Sequence, residues 1–182
     1  MSEDQSTSQA YRYAGYAVAC YDQKLSISDI SITQHQDRSE TQKASLEFTN
    51  YFPKLDPTIE MSRNVMEKTV ISLFSSLESE KKFRKSDDLN FKRSEYKKLR
   101  QFVAPFTRSD RELTAYLNLL AIRAQDFIKD VLVWQQIKDL AYEIIKRKEI
   151  SGRDARHIIR DSFSRSFEKW KKRQQSKQKS VS

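Results

Sequence analysis

Thiols and imidazoles, the side chains that most often bind zinc, are few in this chain of 182 residues. There are one cysteine, Cys20, and two histidines, His35 and His157. A lone cysteine cannot form a disulfide within the chain. We interpret it as a small buried apolar residue in a reducing cytosol, the alternative being a reactive thiol. We interpret His35, in a loop, and His157, on the last helix, as ordinary solvated or half-buried side chains, and no cysteine cluster offers a metal site.

Positive charge at the C-terminus is a second chemical signal. From Lys146 onwards, 13 lysines and arginines outnumber 4 aspartates and glutamates, which accounts for the whole net charge of +9. Basic side chains on one face of a helix can bind phosphate backbones, so nucleic acid is one predicted partner. The alternative is a solvated helix with a solubilising tail. The residues predicted for nucleic-acid binding are Arg153, Arg156, Arg160, Arg165, Lys169, Lys171, Lys172 and Arg173.

The composition predicts one helical domain to position these groups. Hydrophobic residues form 37% of the chain, enough for a single core, and only two glycines and three prolines interrupt it, which favours long helices. We predict a domain over residues 9–170, a disordered tail over 1–8 and a basic disordered tail over 171–182. No apolar run approaches the roughly 20 residues of a membrane span, and the acidic N-terminus is not typical of a signal peptide. A cytoplasmic location without a membrane partner is therefore predicted.

Hydrophobic periodicity predicts a helix, a short antiparallel hairpin and then about five helices, an α+β fold that is mostly α. Helical spacing predicts the first helix over residues 9–22. Alternating apolar residues over 25–32 and 44–48 predict the hairpin, with a long polar loop between its strands. The remaining chain has helical spacing throughout.

Capping residues predict where the later helices begin and end. Asp56 followed by Pro57 predicts the start of the first long helix. A second helix is predicted over residues 87–103, ending near Pro105. Two capping boxes predict further helix starts, Ser109 with Glu112 and Ser151 with Asp154, and a helix containing Trp134 lies between them.

Four segments, in order along the chain, resemble the peptidase domain of the membrane AAA zinc proteases (the FtsH family) and its small stand-alone relatives. The first, YRYAGYAVACYDQKLSISDISI from Tyr11, is similar to a family segment such as YHEAGHAVAAYLLGLPVERVSI. The second, ISLFSSLESEKKF, places Glu80 on a glutamate of the family, and the third places Ser-Glu-Tyr at 94–96 where relatives have Ser-Asp-Tyr. The fourth includes SDRELTAYLNLL and ISGRDARHII. The alternative is that these are only apolar helices with ordinary caps.

The resemblance implies a zinc-peptidase fold without its zinc site. Such a site uses two histidines one helical turn apart, a glutamate base beside the first, and in this family an aspartate from a later helix. Arg12 and Tyr16 stand at the histidine positions, Tyr13 at the position of the base, and Glu95 at that of the aspartate. A guanidinium has no lone pair to donate, and a phenol with a pKa of about 10 is a poor ligand at neutral pH. No zinc or other cofactor is therefore expected.

Arg12 and Glu95 are predicted to converge on the vacant metal position as an ion pair flanked by Tyr13 and Tyr16. The alternative is that Arg12 points to solvent. The predicted function is that of a catalytically inactive, metallopeptidase-like protein (a pseudopeptidase) with a regulatory or protein-binding role. Nucleic-acid binding through the C-terminal segment and an active metallopeptidase with an atypical site stay open as alternatives. The chain has no GxxxxGK phosphate loop, so ATP-driven unfolding by this chain alone is not expected.

Overall fold

The computed structural model describes residues 3–32 and 52–179. Within these ranges two short strands, β1 (Ile30–Ser31) and β2 (Glu149–Ile150), form an antiparallel sheet. The helices are α1 (Glu3–Asp22), α2 (Glu60–Arg84), α3 (Arg93–Val103), α4 (Asp110–Lys129), α5 (Val131–Arg147) and α6 (Gly152–Lys179), with a 3₁₀ turn over Ala104–Phe106. The predicted α+β fold, mostly α with about five helices after the first strand, is confirmed.

The sheet joins segments that lie far apart in the sequence. Ile30 pairs with Ile150 and Ser31 with Glu149, and both isoleucines are buried. The hairpin partner predicted at 44–48 lies outside the described residues. The strand pair ties the loop after α1 to the turn that precedes α6, so the start of α6 is held against the end of α1.

Both ends of the described chain are more helical than the sequence predicts. A disordered tail is predicted through residue 8, whereas α1 begins at Glu3 and Ser8 is buried with a hydrogen bond to Glu80. A tail is also predicted from 171, whereas α6 continues to Lys179. The physical reason at the C-terminus is that lysine, arginine and glutamine are good helix formers, and no glycine or proline interrupts them.

Two further predicted helix starts, those of α2 and α3, are displaced. The carboxylate of Asp56 accepts hydrogen bonds from the amide and the hydroxyl of Thr58, at 2.9 and 2.6 Å, and so closes a local turn. The helix α2 consequently begins at Glu60, three residues after Pro57. The second predicted helix begins at Arg93, although its end at Val103 is confirmed.

The two predicted serine caps are present. Ser109 accepts a hydrogen bond from the amide of Glu112 at 3.1 Å and starts α4. Ser151 does the same for Asp154 at 3.1 Å at the start of α6. These caps were predictable because each involves residues only three positions apart.

The helices α1 and α2 approach each other at Gly15 too closely for a side chain. A Cβ atom at Gly15 would lie 1.9 Å from Ser79 Oγ, 2.5 Å from Ser79 Cβ and 2.8 Å from the carbonyl oxygen of Ser75. The residues buried nearby are small on both helices: Ala10, Ala14 and Ala17 on α1, and Ser72, Ser75, Ser76 and Ser79 on α2. The hydroxyl of Ser79 donates to the carbonyl of Ser75 at 2.7 Å, so this serine satisfies its polar group within its own helix.

We expect Gly15→Ala to lower the free energy of unfolding by about 2 kcal/mol, because the methyl group forces the two helices apart. On an exposed helix the same change would raise the free energy of unfolding by about 1 kcal/mol. A decrease instead of an increase therefore indicates that the two helices are in close contact at Gly15. Urea denaturation followed by circular dichroism measures it. Ser75→Ala is the matched control on the facing helix. Its buried hydroxyl has no hydrogen-bond partner among the described residues, so removing it should be neutral or stabilising. A stabilising Gly15→Ala would contradict the close approach.

Asp139 fixes how α6 sits on α5. Its carboxylate accepts hydrogen bonds from Gln135 at 2.7 Å and, across the helix pair, from Ser162 at 2.7 Å and Arg165 at 3.1 Å. Burial by itself raises the pKa of Asp139, but these hydrogen bonds outweigh it, and the pKa lies below its ordinary value. Because two of the donors belong to α6, Asp139 sets the rotation of that helix about its own axis.

The lowered pKa predicts a pH-dependent contribution to stability. A carboxylate with a lower pKa in the folded state stabilises the fold above its unfolded pKa, about 3.9, and loses that effect as the pH falls through its folded pKa. We therefore expect Asp139→Asn to lower the free energy of unfolding at pH 7, and the difference from wild type to shrink below about pH 4. Urea denaturation at pH 7, 5 and 3 measures this. The exposed Asp126, changed to Asn, is the control, and a difference as large at pH 3 as at pH 7 would contradict the assignment.

Candidate functional site

Three helices bring Arg12, Glu80 and Glu95 together, and we call these residues the Arg12 cluster. Nη1 of Arg12 lies 3.4 Å from Oε2 of Glu80, and Nη2 lies 3.5 Å from Oε2 of Glu95. The side chains are 20%, 11% and 13% exposed, so the ion pairs are largely shielded from solvent. The predicted Arg12–Glu95 ion pair is confirmed, and Arg12 does not simply point to solvent.

Each carboxylate of the Arg12 cluster is held by a second contact. The hydroxyl of Ser8 donates to Glu80 Oε1 at 2.7 Å, and Arg84 approaches the same oxygen at 3.7 Å. Glu95 Oε2 accepts the backbone amide of Lys92 at 2.8 Å, across the first turn of α3. The carboxylates are therefore fixed independently of Arg12, and they orient its guanidinium from two sides.

The two tyrosines near Arg12 have different surroundings. Tyr13 lies in the core, 8% exposed, and burial raises the pKa of its phenol. Its Oη accepts a hydrogen bond from Gln9 at 3.3 Å. Tyr16 is half-buried and hydrogen-bonds to the thiol of Cys20, which is fully buried and has a pKa raised chiefly by burial. The predicted burial of Cys20 is confirmed.

The sequence did not identify Glu80 as a partner of Arg12. A signal for it existed, because Glu80 continues the helical spacing of the buried Leu73 and Leu77 and so had to lie on the inner face of α2. A carboxylate on a buried face requires a cation or hydrogen-bond donors. Ser8, its other partner, was missed because the sequence favours a disordered tail there.

The chemistry of the Arg12 cluster does not fit zinc. The guanidinium offers no lone pair, and its positive charge stands between the two carboxylates that a metal would need. In residues 3–32 and 52–179, no group of three or more histidine, cysteine, aspartate or glutamate side chains is arranged to hold a metal ion. His35 lies outside the described residues. His157 is exposed on α6, with Nδ1 3.1 Å from Nη2 of Arg160.

The basic residues predicted for nucleic-acid binding divide between two faces of α6. Arg153, Arg156 and Arg160 share one face, by their spacing of three and four residues. Arg165 points the other way, towards Asp139 of α5, and the helical period places Lys169 and Lys172 on that second face. Lys171 lies beside the first face, with Nζ 4.7 Å from the ring centroid of Phe167. The side chain of Arg173 lies outside the described residues.

Comparisons of the chain with protein-family models, curated proteins and solved structures found no match. The resemblance to the FtsH peptidase domain therefore stays a prediction from the sequence. In the part of the chain that the structure describes, no helix is long and apolar enough to cross a membrane.

We expect Arg12→Met to lower the free energy of unfolding by about 2–4 kcal/mol, because two partly buried carboxylates would lose their shared cation. Arg84→Met is the matched control, since it removes a half-exposed cation from the same Glu80 and should cost less than about 1 kcal/mol. Urea denaturation measures both. Adding Glu80→Gln to Arg12→Met should recover part of the loss, and the double-mutant cycle gives the coupling energy. Equal losses for the two arginine variants would contradict a special role of Arg12.

Proposed function

We propose that this protein is a catalytically inactive, metallopeptidase-like protein that works in the cytoplasm by binding another protein. The observation that carries the proposal is the Arg12 cluster, with a permanent cation held 3.4 and 3.5 Å from two carboxylates. The resemblance to the FtsH family places one zinc ligand at Arg12 and another at Glu95. A guanidinium at that point would replace the metal as the link between α1, α2 and α3.

The electrostatics of the cluster support a structural role over a catalytic one. Metal-assisted hydrolysis needs a bound water whose pKa is lowered by the ion, and a carboxylate free to take its proton. Glu80 and Glu95 are both committed to Arg12 and to further donors, and Tyr13 has a raised pKa in the core. An active peptidase with an atypical site is therefore the less favoured alternative. Because these groups are not available for catalysis, we propose that the fold serves a regulatory role by binding another protein.

The proposal predicts that a metal site can be rebuilt. Histidines at positions 12 and 16 lie one helical turn apart and would face one ion, with Glu80 and Glu95, no longer paired with Arg12, as oxygen ligands. We expect the variant Arg12→His/Tyr16→His to bind about one equivalent of Zn²⁺, and wild type to bind none. Equilibrium dialysis followed by elemental analysis measures the metal content.

The matched control is Arg12→Ala/Tyr16→Ala, which frees the same carboxylates without supplying imidazoles. If the histidine variant binds no more zinc than the alanine variant, the metallopeptidase-like layout is contradicted. Casein cleavage with and without a chelator is the companion measurement on wild type. About one equivalent of zinc together with chelator-sensitive cleavage would overturn the proposal, because wild type would then be an active metallopeptidase.

A further inference from the structure

The helix α6 carries an exposed row of side chains beside the row that packs on the core. The inner row is small or apolar and buried, with Ala155, Ile159 and Ser162 at 0% exposure. The outer row repeats at alternating spacings of three and four residues, which keeps its members on one face of a helix over about 26 Å. We call this row the α6 stripe: Arg153, Arg156, Arg160, Phe163, Phe167 and Trp170.

The C-terminal half of the α6 stripe is a stack of aromatic rings that solvent can reach. The rings of Phe163 and Phe167 are 5.7 Å apart and inclined by 10°, and those of Phe167 and Trp170 are 5.8 Å apart and inclined by 13°. Phe163 is 43% exposed and Trp170 is 50% exposed. Phe167, between them, is half-buried. These rings are not needed to fill the core, and the nearly parallel outer rings of Phe163 and Trp170 offer a platform on which further flat groups can stack.

The N-terminal half of the α6 stripe faces an open cleft of about 760 Å³. Arg153, Arg156 and Arg160 line one wall, and Tyr21 and Ile27 belong to the other. Two carboxylates, Asp29 and Asp154, also line the cleft, and that of Asp29 is committed to the amide of Gly152 at 2.9 Å. That bond occupies the first amide of α6, so the attraction for an anion comes from the guanidinium groups rather than from the helix end. Arg160 pairs with Asp161 at 3.2 Å, whereas no ion pair is found for Arg153 or Arg156 among the described residues.

We propose that the α6 stripe binds single-stranded nucleic acid, with phosphates on its arginines and bases stacked on its aromatic rings. Base stacking on aromatic side chains and phosphate contacts to arginine are the two interactions by which proteins hold single strands. Duplex bases are stacked on one another and paired, so they cannot reach the rings. This inference concerns α6 and is independent of the Arg12 cluster.

A second copy of the chain is the competing occupant of the α6 stripe. An antiparallel pair of α6 helices, centred between Arg160 and Phe163, would set each arginine against an aromatic ring of the other copy. Charge favours nucleic acid, because residues 152–172 carry seven basic and three acidic side chains, and the segment from Lys146 onwards carries the whole net charge of +9. Two copies would bring like charges together, whereas a polyanion neutralises them and releases its counterions.

The test is fluorescence anisotropy of the full chain with a labelled 20-nucleotide oligothymidine at several salt concentrations. We expect wild type to bind at about 50 mM salt and to weaken steeply as salt rises. Trp170→Ala should raise the Kd about tenfold without changing the salt dependence, because it removes a stacking surface, and Trp170→Phe should restore most of the affinity. Arg156→Gln/Arg160→Gln should reduce the slope of log K against log[salt] by about 1.4, since each phosphate that an arginine neutralises on a single strand adds about 0.7 to that slope.

Matched controls come from other faces of the protein. Tyr142→Ala removes a ring that is 64% exposed on α5, and Lys97→Gln/Lys98→Gln removes two exposed cations from α3. Both variants should leave the Kd and the salt slope close to wild type. The proposal is overturned if wild type fails to bind at 50 mM salt, if a duplex binds as tightly as the single strand, or if Trp170→Ala weakens binding no more than Tyr142→Ala. Sedimentation velocity that shows a dimer dissociated by the stripe variants would assign the stripe to a second copy instead.

Discussion

The close approach of α1 to α2 at Gly15 is the constraint on which the rest of the structure depends. Ser72, Ser76 and Ser79 on α2 donate hydrogen bonds to carbonyls of their own helix, and Gly15 presents no side chain on α1. Arg12 lies one turn before Gly15, and Glu80 directly follows Ser79. The distance between the two helix axes therefore decides whether the guanidinium can reach the carboxylate, so a packing constraint and an electrostatic one are satisfied together.

The Arg12 cluster extends that contact to a third helix. Glu95 belongs to α3, whose buried side chains are Leu99 and Val103 only. Buried ion pairs contribute little net stability, because the loss of hydration offsets most of the attraction, but a broken pair is costly. The cluster thus acts mainly by fixing one arrangement of α1, α2 and α3. A metal ion can do the same, which is why the physical role of Arg12 is compatible with the proposed loss of catalysis.

At the other end of the chain, α6 has one face that packs on the core and another that faces solvent. Its buried row packs on the core, and Asp139 fixes its rotation through Ser162 and Arg165. The α6 stripe is then presented outwards as a consequence of that rotation. The stacked rings add nothing to the packing of the core, and the guanidinium groups beside them leave the segment positively charged. Because neither feature stabilises the fold, we assign them a ligand.

The sequence by itself determined those features that depend on neighbouring residues. The helical period predicted most helices, the serine caps at Ser109 and Ser151 followed from residues three apart, and the fold class followed from both. The Arg12–Glu95 pair was also predicted, but through the family resemblance rather than through local physics. Helix starts such as that of α2 were misplaced, because Asp56 can close a turn as readily as it can cap a helix.

Only the tertiary structure decided which distant segments meet. The pairing of Ile30 with Ile150, the position of Glu80 beside Arg12 and Ser8, and the division of the basic residues between two faces of α6 all depend on helix packing. Local sequence patterns do not predict such contacts, because the partners are separated by tens of residues. An apolar helix face can be recognised in the sequence, but the face against which it packs cannot. The contact at Gly15 illustrates the difference: the glycine is visible in the sequence, but the serine helix that requires it is known only once α1 and α2 are packed.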